Sequence, residues 1–264
     1  MNLSLQRIWG IIYRHLSVYK VNWARMNELI IWPFFELLLW GFISLYVRTI
    51  SNIGYVVLTL LGALLLWVVF ERIQQSISTS FLMELWSRNL LNIFVSPISV
   101  TEYMMGLFVV GIMRVGVAGI LLWLFTLLLY KVNLLVIGPS LVPLAIALIL
   151  FGWSLGTIIT GIVLRYGQSA ESLAWSFAFF LQPFGAVFFP FSVYPEWVQK
   201  IIWWIPLPHI FEAMRAVLIT KHLPWNQVAW AFGLDAVFLV LAFIFFGAMF
   251  EQARSKGYLI KIQD

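Results

Sequence analysis

The sequence predicts an all-α membrane protein with six transmembrane helices, an N-terminal interfacial helix and outer re-entrant helices. Three observations predict it. Hydrophobic residues fill 62% of the 264 positions and charged residues only 10%, a balance that excludes an ordinary soluble domain. Several runs reach the roughly 20 apolar residues that a helix needs to cross a bilayer. The basic residues, which bring the formal charge to +5, punctuate those runs instead of gathering on one surface. That pattern marks membrane topology and a lipid partner, not nucleic-acid binding.

The elements follow in order. Residues 1–28 read as an amphipathic interfacial helix: Leu5, Ile8, Trp9, Ile12, Leu16, Tyr19 and Trp23 recur at helical spacing, with Arg7, Arg14 and Lys20 mostly off that face. Tryptophans on one side and cations on the other suit the membrane interface. A plain basic leader that sets topology explains the same residues equally well. No charged-then-apolar segment with a small-residue cleavage site opens the chain, so no removable signal peptide is expected. Residues 29–250 form the transmembrane domain, with spans over 29–47, 55–70, 104–130, 141–164, 173–193 and 228–250. The second continues as a more polar helix towards Ser80, and the fifth is interrupted by Gln182-Pro183 and Pro190. Residues 251–264 are a polar tail. With the N-terminus inside, ten Lys and Arg, Arg72 and Arg88 among them, lie on the inner side and five on the outer. Both termini are therefore expected in the cytoplasm.

The most polar long interval between apolar blocks is 83–103. Glu84, Arg88, Asn92 and Ser96 recur every four residues and form one stripe on a helix, while Leu85, Trp86, Leu90 and Ile93 cover the other side. Glu84 stands four residues before Arg88, the favourable order for a helical ion pair worth about 0.3–0.5 kcal/mol. Ser96-Pro97 ends that helix, because a residue before proline is driven out of the α region. Periodicity leaves two readings open: a surface helix linking two spans, or a transmission element that a motor subunit grips.

A segment too long and too apolar for a plain loop precedes the sixth span. Trp197, Ile201, Trp204 and Ile205 share one helical face, with Glu196 and Lys200 on another. Pro206 and Pro208 break the chain before a second short helix, where His209, Glu212 and Arg215 form a polar edge suited to water or a partner chain. Gly185, Pro190 and Pro195 interrupt the approach, so no straight span continues through it. Irregular backbone at membrane depth needs protein or a water-filled cavity to cover it. An outer gate built on Phe189, Pro190, Trp197, Trp204, His209, Glu212 and Arg215 is one reading. A passive belt of tryptophans among lipid headgroups is the other.

Three charges fall inside spans. Glu36, Arg114 and Asp235 each cost on the order of 3 kcal/mol or more unless paired or hydrated. Glu36 and Arg114 match in depth and are expected to pair near mid-membrane, as a structural contact in preference to a polar path. Asp235 enters from the outside and sits shallower. Pro33 either breaks the first span locally or is an ordinary proline near a helix start.

Enzymatic chemistry finds no support. There is no G-x-x-x-x-G-K-[ST] phosphate loop, no H-E-x-x-H and no cysteine, and His15, His209 and His222 are scattered. No serine stands in an elbow motif. The chain is expected to carry no catalytic, cofactor-binding or metal residue.

Two motifs carry a resemblance. RNLLNIFVSPISVTEYMMG (88–106) resembles the cytoplasmic segment of type-2 ABC exporter permeases, where a helix after the second span ends in a Ser-Pro turn. FFPFSVYPEWVQKIIWWIPLPHIFEAMR (188–215) is similar to that family's signature ahead of its last span. WPFFELLLWGF resembles the first span of the drug-exporter branch. The basic stretch ending near Leu-Gly-x-x-Trp that is usual in the polysaccharide-exporter branch is not found. The resemblance implies a transmembrane permease subunit in the bacterial cytoplasmic membrane, itself not an enzyme. It implies two copies of a separate ATPase subunit that hold ATP and Mg, and a second permease, the same chain in a homodimer or a near copy, with the cargo path between the two. It assigns contact with the ATPase to the helix bearing Glu84, Arg88, Asn92, Ser96 and Pro97, and closure of the outer end to the re-entrant helices. Alternating access would move an amphipathic or hydrophobic cargo, a drug-like molecule or a lipid. The alternative cargo is a polysaccharide or lipid-linked glycan. A motor-independent channel or structural membrane protein would have no use for a polar stripe ending in Ser-Pro.

Overall fold

A computed structural model describes residues 4–21, 23–51, 55–87 and 89–255. Among the described residues the secondary structure is helical throughout: α1 (Leu5–Val21), α2 (Trp23–Ser51), α3 (Val56–Trp86), α4 (Leu90–Val95), α5 (Val100–Tyr130), α6 (Leu141–Tyr166), α7 (Glu171–Leu181), α8 (Glu196–Ile202), α9 (Pro206–Thr220) and α10 (Trp225–Ser255). Short 3-10 turns join several of them. α2 begins ahead of the boundary expected at residue 29, and α10 carries the first part of the expected tail. The rest of that tail lies outside the described residues.

The breaks have local causes. Lys131 turns left-handed (φ 57°) and ends α5. Asn133 then accepts the Leu135 N–H at 3.0 Å and the Trp123 indole N–H at 3.1 Å, fixing the turn that follows. Gly138, at φ 67°, leads into Pro139 and the start of α6. The left-handed conformation is cheap for glycine and costs other residues about 1 kcal/mol or more.

Among the described residues, five helical stretches are long and apolar enough to cross a membrane: Ile30–Ile50, Val56–Trp86, Val100–Tyr130, Leu134–Tyr166 and Trp225–Ser255. α8 and α9, bent by 103° where they meet, qualify together as a sixth by length and composition. The run 173–193 is not a straight crossing. α7 has 11 residues and stops at Leu181, and the chain continues in turns through Pro183 and Pro190, since proline neither donates to the helix ladder nor clears the preceding turn.

α3 is the centre of the bundle. It packs against α2, α5, α6, α7 and α9, and 78% of its most apolar window is buried. Its 31 residues run to roughly 46 Å, longer than a hydrocarbon core of about 30 Å. Lipid tails are as apolar as leucine, so association of such helices rests on close packing. Two glycines on α6 supply it. A Cβ on Gly152 would overlap Ile73 and stand 2.9 Å from the Phe70 carbonyl oxygen, and one on Gly156 would stand 2.9 Å from the Gln74 carbonyl oxygen. Around this seam Phe70 stacks on Phe151 at 5.5 Å, and Phe151 meets Phe238 of α10 edge-on at 5.2 Å. α10 then packs along α6.

Candidate functional site

At one end of the bundle the chain builds a braced joint. Residues 83–103 do not form one helix: α3 runs on to Trp86, and α4 has only six residues. Ser96 is extended (ψ 160°) ahead of Pro97 and ends α4, as expected. Ser99 caps α5 by accepting the Glu102 N–H at 3.2 Å, and the Glu102 carboxylate accepts the Ser99 N–H at 2.8 Å in return. The four-residue stripe is therefore split between two helices, and Arg88 lies outside the described residues.

Glu84, only 3% exposed, is engaged inward. Arg14 of α1 grips it with two parallel bonds, Nε to Oε1 at 2.8 Å and a terminal nitrogen to Oε2 at 2.7 Å. Paired bonds of this kind are strong and directional. Asn89 adds a bond to Oε2 at 2.8 Å. Glu102 is the second anchor: its carboxylate accepts the Ser4 N–H at 2.8 Å and lies 3.6 Å from Arg7, which donates to the Pro97 carbonyl at 2.6 Å. α1 is thus tied to both flanks of α4, the end of α3 and the start of α5. Asn92 donates to Asn89 at 3.1 Å, and the Ser96 hydroxyl to the Ile93 carbonyl at 2.5 Å. Among the described residues of this joint, Val95 is 84% exposed, beside exposed Asn92 and Pro97. On α1, Arg7 and Arg14 turn to the protein while Leu5, Trp9 and Tyr13 form an exposed stripe. That arrangement suits a helix lying in the interface.

Inside the bundle the expected pairing changes. No Glu36–Arg114 ion pair occurs among the described residues. Arg114 donates to the Ser80 hydroxyl at 3.3 Å, and the charges acting on half-buried Glu36 are those of Glu71 and Arg72. Matching depth along two helices did not mean matching azimuth. Past Phe70 the helix continues, as expected, and its polar residues turn inward: Glu71, Arg72, Gln74, Ser76, Ser78, Thr79 and Ser80 are all buried. Arg72, reckoned with the inner-loop cations, is only 6% exposed and lies inside the bundle. Gln75 donates to Glu71 at 2.9 Å, and the Ser78 hydroxyl reaches the Ala174 carbonyl of α7 at 3.3 Å. Asp235 of α10 is fully buried, with neither carboxyl oxygen hydrogen-bonded among the described residues. Buried polar groups are normally partnered, so the unbonded Asp235 carboxylate is an exception inside the bundle.

At the opposite end the polar edge of α9 faces inward. Arg215 donates to the carbonyls of Phe189 (2.5 Å), Phe211 (3.3 Å) and Ala186. Glu212 accepts the Phe191 N–H at 2.7 Å. His209, 2% exposed, bonds the Trp203 carbonyl at 2.9 Å and Gln227 at 2.7 Å. Arg215 and Glu212 pin the irregular segment 183–194, whose backbone groups need partners, while His209 ties the end of α8 to α10. Tyr194 completes the clamp by donating to the Pro183 carbonyl at 2.6 Å and accepting the Ala186 N–H at 3.0 Å. Burial pushes its phenol above the usual range, against the opposing pull of that N–H and of Arg215. Trp197, Ile201 and Trp204 are each at least 60% exposed and form an outward stripe, whereas Val198 and Ile202 pack inward. Phe189 and Pro190 line a cavity of about 460 Å³ between this segment and the ends of α2 and α3, next to Trp40 stacked on Phe188.

Some of these residues had a readable signal. Ser99-x-x-Glu102 is the capping-box pattern, and Gly152-x-x-x-Gly156 the close-packing pattern of membrane helices. The clamps of Arg14 on Glu84 and Arg215 on residues 186–189 join distant positions and had none.

Long apolar helices around a polar-cored central helix, with a braced joint at one end and a bent pair at the other, define a multi-pass membrane protein. Residues 8–219 match the family described as ABC-2 type transporter, and the chain belongs to that family, as a type-2 ABC permease. A comparison with curated proteins gives no match.

Proposed function

We propose that the chain is the permease half of an ATP-driven exporter, working as a pair of identical copies with two ATPase subunits that hold ATP and Mg. In this reading the chain crosses the bacterial cytoplasmic membrane six times, with α1, α4 and both termini on the cytoplasmic side. The observation that carries it is the joint at α4: a short helix with an exposed apolar tip, held on both flanks by charge-assisted bonds to α1. Val95 at 84% exposure is a natural knob for a partner's cleft, and the brace lets a push on α4 move α3 and α5 together. Cargo is amphipathic or hydrophobic, a drug-like molecule or lipid, and reaches the far side by alternating access; the clamped segment 183–194 with α8 and α9 closes the path at rest.

The test is Val95→Glu, with Arg88→Glu as a second change on the same joint. We expect the permease to insert normally while co-purification of the ATPase and cargo-stimulated hydrolysis fall at least about tenfold, the loss of roughly 1.4 kcal/mol of interface energy. Normal coupling in both variants would refute the motor-docking role.

A further inference from the structure

We infer that the α8 end carries a saccharide-binding cleft, built where the segment 183–194 meets α8 and α9. Two adjoining cavities, of about 610 and 260 Å³, share Phe191 and Trp203 as a common wall. The larger volume, with a few convergent polar groups, falls in the range of small-ligand sites. The larger is lined by Phe191, Trp203 and Trp204, and by Glu196, Gln199 and Lys200 from one face of α8. Phe191 and Trp203 stand nearly edge-on, 6.0 Å between centroids, so the wall is aromatic and cornered.

The smaller cavity adds Ser192, Glu212 and Gln227. The bonds described for the last two use Glu212 Oε1 and Gln227 Oε1. Oε2 of Glu212 and Nε2 of Gln227 are left to offer an acceptor and donors to a ligand.

The chemistry selects the ligand class. A pyranose has an apolar C–H face that lies on an aromatic ring and a rim of hydroxyls that both donate and accept. Aromatic walls alternating with carboxylate, amide and hydroxyl groups match both features. A quaternary ammonium would also like the aromatic walls, but it would meet the Lys200 ammonium in the same cavity. A bare acyl chain would strand Glu196, Gln199 and Lys200 against hydrocarbon, at the cost of desolvating polar groups. The cleft adjoins the exposed stripe Trp197, Ile201 and Trp204, which suits the level of lipid headgroups. A sugar could therefore arrive as a free saccharide or as the head of a glycolipid.

The experiment uses the full-length permease in nanodiscs of phosphatidylethanolamine and phosphatidylglycerol, without ATP or ATPase. Maltose is titrated by calorimetry, glucosyl-diacylglycerol is counted by native mass spectrometry, and choline is the rival probe. We expect saturable binding of at least one sugar probe, weakened about tenfold by Trp204→Ala and by Glu196→Gln, as befits loss of one stacking or charged hydrogen-bonding contact. Lys200→Met serves if either variant fails to fold. Maltose binding alone assigns a free saccharide, glycolipid binding alone a headgroup, and both outcomes support the site. Absence of saturation by either sugar, binding indifferent to the substitutions, or choline binding in place of sugar would overturn it. No motor takes part in this measurement, so a failed sugar site leaves the permease reading intact, and failed coupling to an ATPase leaves the sugar site intact.

Discussion

Arg215 holds a segment that has almost no regular structure of its own. Between Gln182 and Pro195 the backbone makes only two short 3-10 turns, and Ala186 sits in the left-handed region at φ 52°, where an L side chain costs about 1–2 kcal/mol. The guanidinium meets the carbonyls of Ala186, Phe189 and Phe211 together, a task that needs several donors in a fixed plane. Arg215→Lys keeps the charge and loses the fork. We expect that change to destabilise the protein by about 2–3 kcal/mol, the worth of a charged hydrogen bond or two left unmade, with a matching fall in the thermal midpoint. A midpoint unchanged within error would mean that the loop is held by Tyr194 and Glu212 alone.

At the scale of elements, the seam between α3 and α6 is set by backbone contact. The obstacle to a side chain at Gly156 is the Gln74 carbonyl oxygen at 2.9 Å, which cannot rotate away. Gly156→Ala should therefore cost about 1–3 kcal/mol through overpacking. Gly116→Ala and Gly119→Ala on α5, where a Cβ meets nothing within 4 Å, should be neutral or mildly stabilising, because alanine is the better helix former by roughly 1 kcal/mol. Thermal scans of the three variants in one detergent decide it, and an equal effect at all three would refute the seam. The same scale shows what the sequence made legible. Hydropathy located α2, α3, α5, α6 and α10, because twenty apolar residues in a row leave few other fates. It misjudged the second half of α3, since a run such as Glu71-Arg72-Ile73-Gln74-Gln75 looks like surface unless the surrounding helices are known. It also stretched one crossing over 173–193, where Pro183 and Pro190 allow only a half-length helix and a clamped loop. The stripe from Glu84 to Ser96 followed a period of four across a break, which periodicity cannot see without a proline or glycine to mark it. Glu84, singled out as part of an exposed coupling stripe, is instead buried, with its partner 70 positions away at Arg14.

For the whole molecule, α3 joins the two ends through its buried length. Tyr55 just before it, and Val56 and Thr59 in its first turn, line the cavity beside Phe188 and Phe189, while Glu84 near its last turn carries the grip of Arg14. A helix packed on five neighbours moves as a rigid body, so a displacement at the α4 joint must appear at the cavity unless the brace gives way. Interfaces of this kind switch between discrete packings and do not deform continuously. The chain contains no cysteine, which makes a single introduced thiol a clean reporter. In the complex with its ATPase, Phe189→Cys should react with a membrane-impermeant maleimide faster when ATP is present than when it is absent. Adding Arg14→Ala should abolish that ATP-dependent increase while leaving the ATP-free rate unchanged, because the brace is lost and the cavity is not. An undiminished response in the double variant would show that the push travels through another helix, and α1 would then be an anchor only.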